Sequence, residues 1–211
     1  MLDKWEMSLN KKVCALDIDG VLNYYPTPWV DFIIARKAKP RGVIEICSPD
    51  IDTTDLDFWK EFLSYNEYRR LKEEYRVSGV KETLPVRSKA RALLQLLDAE
   101  KYYITLISSR PVCKYPDLYR QTVMWLEINK LPYHDLLFSK DKDLEICRRA
   151  PHLKFIVEDH AYYANLVAQW GYKVFLVENR YNYEAVKLQV PNLIVMKGLG
   201  DVYEKVKAGS I

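Results

Sequence analysis

Asp17 and Asp19 stand two apart in the run Val13-Cys14-Ala15-Leu16-Asp17-Ile18-Asp19-Gly20-Val21-Leu22. Carboxylates this close at the end of an apolar stretch repel each other and lose hydration unless a cation or a proton offsets the cost. Mg²⁺, a hard and oxygen-seeking ion, offsets it well. The competing reading is a solvated Asp-x-Asp-Gly turn. Ser108-Ser109-Arg110 follows a second apolar run. Hydroxyl and amide donors suit a phosphate there, and Arg110 could grip one with two hydrogen bonds. A Ser-rich turn with an incidental arginine would look the same. Lys140 and Lys142 follow Leu136-Leu137-Phe138. A lysine at that place can neutralise a phosphate or a nucleophile, although such lysines are most often solvated. Lys140 lies closer to the strand end and is the first choice. Glu158-Asp159-His160 closes a further apolar run, and paired carboxylates there again need a cation. His160 could tune a metal's surroundings or cap a helix.

The elements that must position these residues alternate in type. Val13–Leu16 is too short for a helix and reads as a buried strand. Strand-like runs at 102–107, 136–138, 153–157, 173–177 and 193–196 are separated by helical patterns at 88–99, 117–129, 143–149 and 161–170, and a closing helix is expected at 199–207. Ser88 is the expected N-cap of the helix carrying Ala92, Leu93, Leu96 and Leu97, and Gly171 is the expected stop of 161–170. This alternation implies an α/β fold: a doubly wound parallel sheet with right-handed crossovers. The site residues then share the crevice at the carboxyl ends of the strands. Residues 24–81 break the rhythm with four prolines, an acidic loop at 50–57 and a helical stretch at 58–75. A segment of this length is no loop. It reads as a small, mostly helical cap, inserted in a core made of 1–23 and 82–211.

Composition narrows the class. The 211 residues suffice for one sizeable core, or a core and a small insert. Nearly half are apolar and charges are mixed in sign, a globular composition. A net charge of +3 argues for neither nucleic acid nor membrane. No apolar run is long enough to span a bilayer. The polar start lacks a signal-peptide core. Cys14, Cys47, Cys113 and Cys147 are scattered, so a reduced cytoplasmic protein without disulfides is expected.

An Asp-x-Asp pair, a serine, a lysine and an acidic pair, in this order at successive strand ends, resemble the four motifs of the haloacid dehalogenase-like phosphohydrolases. The resemblance covers about 150 residues of core and leaves the cap mostly unmatched. It implies that Asp17 is a nucleophile attacking phosphorus. Asp19 would protonate the leaving oxygen and then activate water, with its carbonyl on Mg²⁺. Ser108 would hold a phosphoryl oxygen and Lys140 would bridge phosphate and nucleophile. Asp159 would ligate the metal directly, with Glu158 behind it. A dehalogenase would not need Asp19, and a P-type pump would need membrane helices. Asp17-Ile18-Asp19-Gly20-Val21-Leu22 is similar to the 5′(3′)-deoxyribonucleotidases. Ser108-Ser109-Arg110 and the helix with Trp125-Leu126 are similar to the polynucleotide 3′-phosphatase domain of phage-type end-healing enzymes. The expected substrate is a small phosphomonoester, first of all a nucleoside monophosphate. The alternatives are a phosphorylated DNA or RNA end and a non-catalytic phosphate-binding protein of this fold.

The cap should choose among substrates. Its aromatics could stack on a base, although Trp59, Phe62 and Tyr65 recur at helical spacing and read as packing. Tyr24, Tyr25 and Trp29 directly follow the catalytic strand and are the candidate base contacts. Arg36-Lys37-Ala38-Lys39-Pro40-Arg41 could track a phosphate backbone or lie in solvent, and Arg180 could contact substrate or lie in a surface loop.

Overall fold

A computed structural model describes residues 11–36, 63–148, 152–182 and 190–211. Strands β1 (Lys12–Asp17), β2 (Tyr102–Ser108), β3 (Asp135–Phe138), β4 (Leu153–Glu158), β5 (Val174–Val177) and β6 (Leu193–Met196) form one parallel sheet. Their order is β3-β2-β1-β4-β5-β6. After β1 the chain builds outward through β2 and β3, then returns to β1's other side for β4. The crevice at which the direction reverses is the place where such sheets hold ligands. Asp17 ends β1, Ser108 ends β2 and Glu158 ends β4, so the strand order brings three of the four motifs side by side.

The two-residue period of the strands divides the core between the sheet's faces. Cys14, Leu16, Ile104, Leu106, Phe155 and Val157 belong to one buried cluster. Ala15, Ile107 and Ile156, each next to one of these in its strand, belong to the other. The first cluster is covered by helices α3 (Ala90–Ala99), α4 (Asp117–Ile128) and α7 (Leu199–Lys207) through Leu93, Leu97, Trp125 and Val202. The second is covered by α5 (Lys142–Arg148) and α6 (Ala161–Gln169) through Ile146, Ala164 and Val167. Gly171 follows α6 with φ of 90°, a left-handed conformation that glycine adopts without strain. Ser88 does not cap α3. The N-cap is Lys89 in a left-handed conformation without a side-chain cap, and the Ser88 amide donates to the Tyr24 hydroxyl (3.1 Å).

Between β1 and β2 lie α1 (Thr27–Arg36) and α2 (Tyr65–Val77). Ser64 and Glu67 form a reciprocal capping box that starts α2. The two helices share their own apolar cluster, in which Trp29, Phe32, Leu71 and Tyr75 are buried. A 3-10 turn, Val80–Glu82, follows α2. Trp59, Phe62, the acidic loop and most of the basic run at 36–41 lie outside the described residues. Tyr65, expected to pack, is exposed. No helix among the described residues is long and apolar enough to cross a membrane.

Trp125 is fully buried, and its indole N–H donates to the Leu84 carbonyl (2.7 Å). Trp125→Ala removes both the packing and the bond and should cost about 3–5 kcal/mol. Urea denaturation measures the loss, and a change below about 1 kcal/mol would contradict this account of the core.

Candidate active site

Asp17 is buried at the end of β1. Asp17, Glu158 and Asp159 each offer an oxygen within 4.8 Å of the others. One ammonium, that of Lys142 at the start of α5, lies among them. Its Nζ is 2.8 Å from Glu158 Oε2 and 3.3 Å from Asp17 Oδ1. The second contact is an ion pair without hydrogen-bond geometry, so Asp17 Oδ1 is a buried acceptor with no donor. Burial raises the pKa of Asp17 to about 7, with Lys142 opposing and Glu158 and Asp19 adding. Burial, reinforced by Asp17 and Glu158, holds Asp159 well above the usual carboxylate range. Lys142 is raised, because Asp17 and Glu158 outweigh its own burial. Three carboxylates share one ammonium here, and the donors are hard oxygens. This set fits a divalent cation such as Mg²⁺.

Glu158 stands behind that position. Its Oε2 is taken by Lys142, and its Oε1 accepts the amides of Asp159 (3.2 Å) and His160 (3.1 Å). It orients the lysine and the turn. Asp159 Oδ2 accepts from the Tyr181 hydroxyl, and its carbonyl accepts from Asn182 Nδ2 (2.7 Å). Burial lowers the pKa of His160.

The lysine assignment needs correction. The Lys140 side chain is 90% exposed, and its one ion-pair contact among the described residues is Asp141 at 4.0 Å. Residue 140 still belongs to the loop after β3, whereas residue 142 opens α5, whose first turn faces the crevice. Nearness to the strand end in sequence misleads, because the intervening loop turns outward before it comes back.

Asp19 faces a different environment. Arg110 grips its carboxylate with two hydrogen bonds, Nε to Oδ2 (2.9 Å) and Nη2 to Oδ1 (2.7 Å). Lys81 Nζ donates to both oxygens at 3.0 Å, and Asn23 Nδ2 donates to Oδ1 (2.9 Å). Burial alone would raise Asp19, but Arg110 and Lys81 hold it well below the usual carboxylate range. Its carboxylate therefore stands apart from the acidic cluster of Asp17, Glu158 and Asp159. Arg110, expected to grip a phosphate, spends its fork on Asp19 and a further bond on Thr122 Oγ1 (2.6 Å). Ser108 is buried, and its Oγ accepts the Arg110 amide (3.3 Å). Ser109 lines the cleft.

The turn that follows the two aspartates is held from several sides. Asn23 Oδ1 accepts the amides of Gly20 (3.2 Å) and Tyr25 (3.0 Å). The Arg87 guanidinium bonds the Gly20 carbonyl and reaches Glu178 O (3.2 Å) and Asn179 Oδ1 (3.0 Å), tying the turn to the end of β5. Gly20 has φ of 84°, and a Cβ there would run into Asp159 Oδ2 and the Tyr181 hydroxyl.

The cleft has a volume of ≈ 250 Å³ and is bounded by the strand ends and by α2. Its acidic floor contains Asp17 and Asp159, and its opposite wall carries Lys72, Arg76, Lys81 and Arg110. Of the three aromatics singled out in the sequence, Tyr25 alone lines it. Tyr24 is 42% exposed and holds the Ser88 amide. Trp29 is 1% exposed, stacked on Phe32 and edge-on to Tyr75 inside the α1–α2 cluster. Neither ring borders the cleft, so the expected substrate contacts at Tyr24 and Trp29 give way to Tyr25. A ring with two apolar faces is needed by a small helical pair as filling, and sequence proximity to β1 does not outweigh that need. The side chain of Arg180 lies outside the described residues. Lys72, Arg76, Lys81 and Tyr181 carried no signal in the sequence. Each looks like an ordinary surface residue until the fold turns it inward.

The fold is that of the haloacid dehalogenase-like hydrolases. A protein described as a predicted phosphatase from Clostridium acetobutylicum superposes with a TM-score of 0.63 at 15% identity, over 94% of this chain and 100% of that one. A haloacid dehalogenase-like family hydrolase from Streptococcus pneumoniae gives 0.57 at 12% identity, over 94% and 99%. L-2-haloacid dehalogenase from Xanthobacter autotrophicus gives 0.56 at 12% identity, over 93% and 98%. At these identities the likeness is one of fold. No protein-family model matches the sequence, and no curated protein does.

Two outcomes test this geometry. An unfolded aspartate loses its proton near about pH 4, whereas Asp17 in the metal-free fold keeps it to about 7. The folded state binds the extra proton in that window, so its stability falls as pH rises through it. Melting in chelator should show Tm decreasing from about pH 5 to about pH 7.5, and Mg²⁺ should raise Tm more at the higher pH. An equal Mg²⁺ effect at both values would count against a cation on these carboxylates. Gly20→Ala should displace Asp159 and weaken Mg²⁺ binding in calorimetric titration; unchanged affinity would contradict the close approach described here.

Proposed function

We propose that this protein is a Mg²⁺-dependent phosphomonoester hydrolase that works through an aspartyl-phosphate on Asp17. Nucleoside monophosphates are the expected substrate class. The observation that carries the reading is Asp17 itself: a buried carboxylate that lines the cleft with Lys142 and Asp159 and has one oxygen without a hydrogen-bond donor. An isolated structural aspartate would be hydrogen-bonded at both oxygens.

Asp17 and Asp159, with Glu158 behind them, would hold the Mg²⁺, which when bound shields the repulsion between carboxylate and phosphate. Lys142 neutralises negative charge beside the nucleophile. The Ser108 hydroxyl accepts one hydrogen bond and keeps its proton to donate to a phosphoryl oxygen. In the first step a carboxylate oxygen of Asp17 bonds to phosphorus, the bond to the leaving oxygen breaks, and that oxygen takes a proton from Asp19. In the second step water attacks phosphorus, the aspartyl–phosphorus bond breaks, and the water's proton returns to Asp19 as inorganic phosphate leaves.

Asp19 is an ionised carboxylate in the arrangement described above, which suits the second step. The first step needs it protonated. A phosphate arriving in the cleft competes for Arg110 and Lys81, and loosening their hold moves Asp19 toward its protonated form. The cationic wall then has two uses, binding substrate and releasing the acid. The helices α1 and α2 serve as a cap, with Tyr25 as the ring available to a nucleobase.

Phosphate release from a panel of nucleoside monophosphates tests the reading. The expected result is hydrolysis that requires Mg²⁺ and stops in chelator. Asp17→Asn should abolish it, and activity surviving that change would exclude the covalent mechanism and favour a binding protein with a contaminant. Lys142→Met should lower kcat by about 10²–10³-fold, while Lys140→Met leaves it unchanged; the reverse pattern would restore Lys140 to the site.

A further inference from the structure

The phosphoryl chemistry proposed above leaves two cations unused. Lys72 and Arg76 lie four apart on α2, on one face of that helix, and both line the cleft. Lys72 Nζ donates to the Tyr25 hydroxyl (2.9 Å) and lies 4.3 Å from the Trp29 ring centre. The Arg76 guanidinium lies 5.2 Å over Tyr115. Neither has a carboxylate within ion-pair distance among the described residues. Of the other cations around the helix, Arg70 pairs with Glu74 and Lys114 with Glu73, while Arg69 stands over the Tyr65 ring and does not line the cleft. The remaining cations of the wall, Lys81 and Arg110, are committed to Asp19.

Lys72 is nevertheless part of the same site. Its ammonium and that of Lys81 share two rings, at 5.1 and 5.2 Å from the centre of Tyr25 and at 5.8 and 5.3 Å from that of Tyr75. Like charges held this close repel each other, and of the two only Lys81 has a carboxylate partner among the described residues. Burial, with Lys81 and Arg76 adding, lowers the pKa of Lys72 to about 7.

Charge balance points the same way. Five basic and three acidic side chains line the cleft, and Glu158 lies behind Lys142. With all of these groups ionised and a divalent ion added, the excess is about three positive charges, and one phosphomonoester dianion neutralises about two of them. Positive charge is left over at the end of the cleft where Lys72 and Arg76 stand.

We propose that Lys72 and Arg76 form a second anion subsite, which takes a phosphate carried by the leaving group. The preferred substrate then bears two phosphates, one removed at Asp17 and one retained by the product alcohol. This rests on the phosphatase reading above. The retained group is a phosphomonoester of a nucleoside bisphosphate or the adjoining phosphodiester of a strand end, chemically alike at the subsite.

Kinetics on three substrates test it: a nucleoside 5′-monophosphate, a nucleoside 3′,5′-bisphosphate and a 3′-phosphorylated oligonucleotide. A second phosphate should raise kcat/KM by about ten- to a hundredfold, chiefly through KM, as two charge-assisted contacts would. In the Lys72→Gln/Arg76→Gln double variant that ratio should fall to near one; should the pair not fold, the single variants carry the comparison. A bisphosphate advantage alone identifies a mononucleotide leaving group, and an oligonucleotide advantage identifies a strand end. No advantage for either, or an advantage that survives the double variant, overturns the subsite and leaves the phosphatase standing. Should no substrate release phosphate, the phosphatase reading fails and binding decides the subsite. Nucleoside 3′,5′-bisphosphate is then titrated calorimetrically into the wild type and the double variant. Affinity weaker by about tenfold or more in the variant supports the subsite, and equal affinity overturns it.

Discussion

The structure turns on the Lys142 ammonium buried among Asp17, Glu158 and Asp159. Three carboxylates within 4.8 Å of one another could not all ionise away from water without it. The lysine reaches them because α5 begins at residue 142 and its first turn faces the crevice between β1 and β4. Glu158 fixes the ammonium with one oxygen and the turn at 159–160 with the other. This leaves Asp17 near its own proton affinity and short of one donor. Asp17 is held in place without being saturated.

Opposite charges are sorted across the cleft. Asp17 and Asp19 are two residues apart, yet the first faces carboxylates and the second faces Arg110 and Lys81. The pair is driven to opposite ends of the carboxylate range by surroundings alone. Two chemically identical groups thereby become suited to different tasks, which is how acid and base functions are separated on one scaffold. The left-handed turn at Gly20, directly after Asp19, is tied down by Asn23 and Arg87.

Much of this was legible beforehand, and the residues that were not share a reason. The strands, the parallel sheet, the crevice, and the placement of Asp17, Asp19, Ser108 and Asp159 at strand ends followed from apolar periodicity and the strand–helix rhythm. These are local signals, each contained in a few consecutive residues. Sequence order favours Lys140, yet Lys142 enters the site, because a loop's path cannot be read from its length. Arg110 was given to phosphate when its partner is Asp19, ninety-one residues away. Trp29 was assigned to substrate when the small cluster between α1 and α2 needed it as filling.

By itself the sequence determined the order of the elements, the alternation that buries both faces of the sheet, and the carboxylates and hydroxyl that meet at its carboxyl edge. Those follow from the pleat of a strand and from the handedness of a crossover, which hold whatever surrounds them. Only the tertiary structure decided how charge is distributed over those groups: which lysine enters, which aspartate is paired, and which wall of the cleft is left positive. Electrostatic energy depends on distance and burial, and for Lys72, Lys81, Arg110 and Lys142 both are fixed by neighbours far away in the chain.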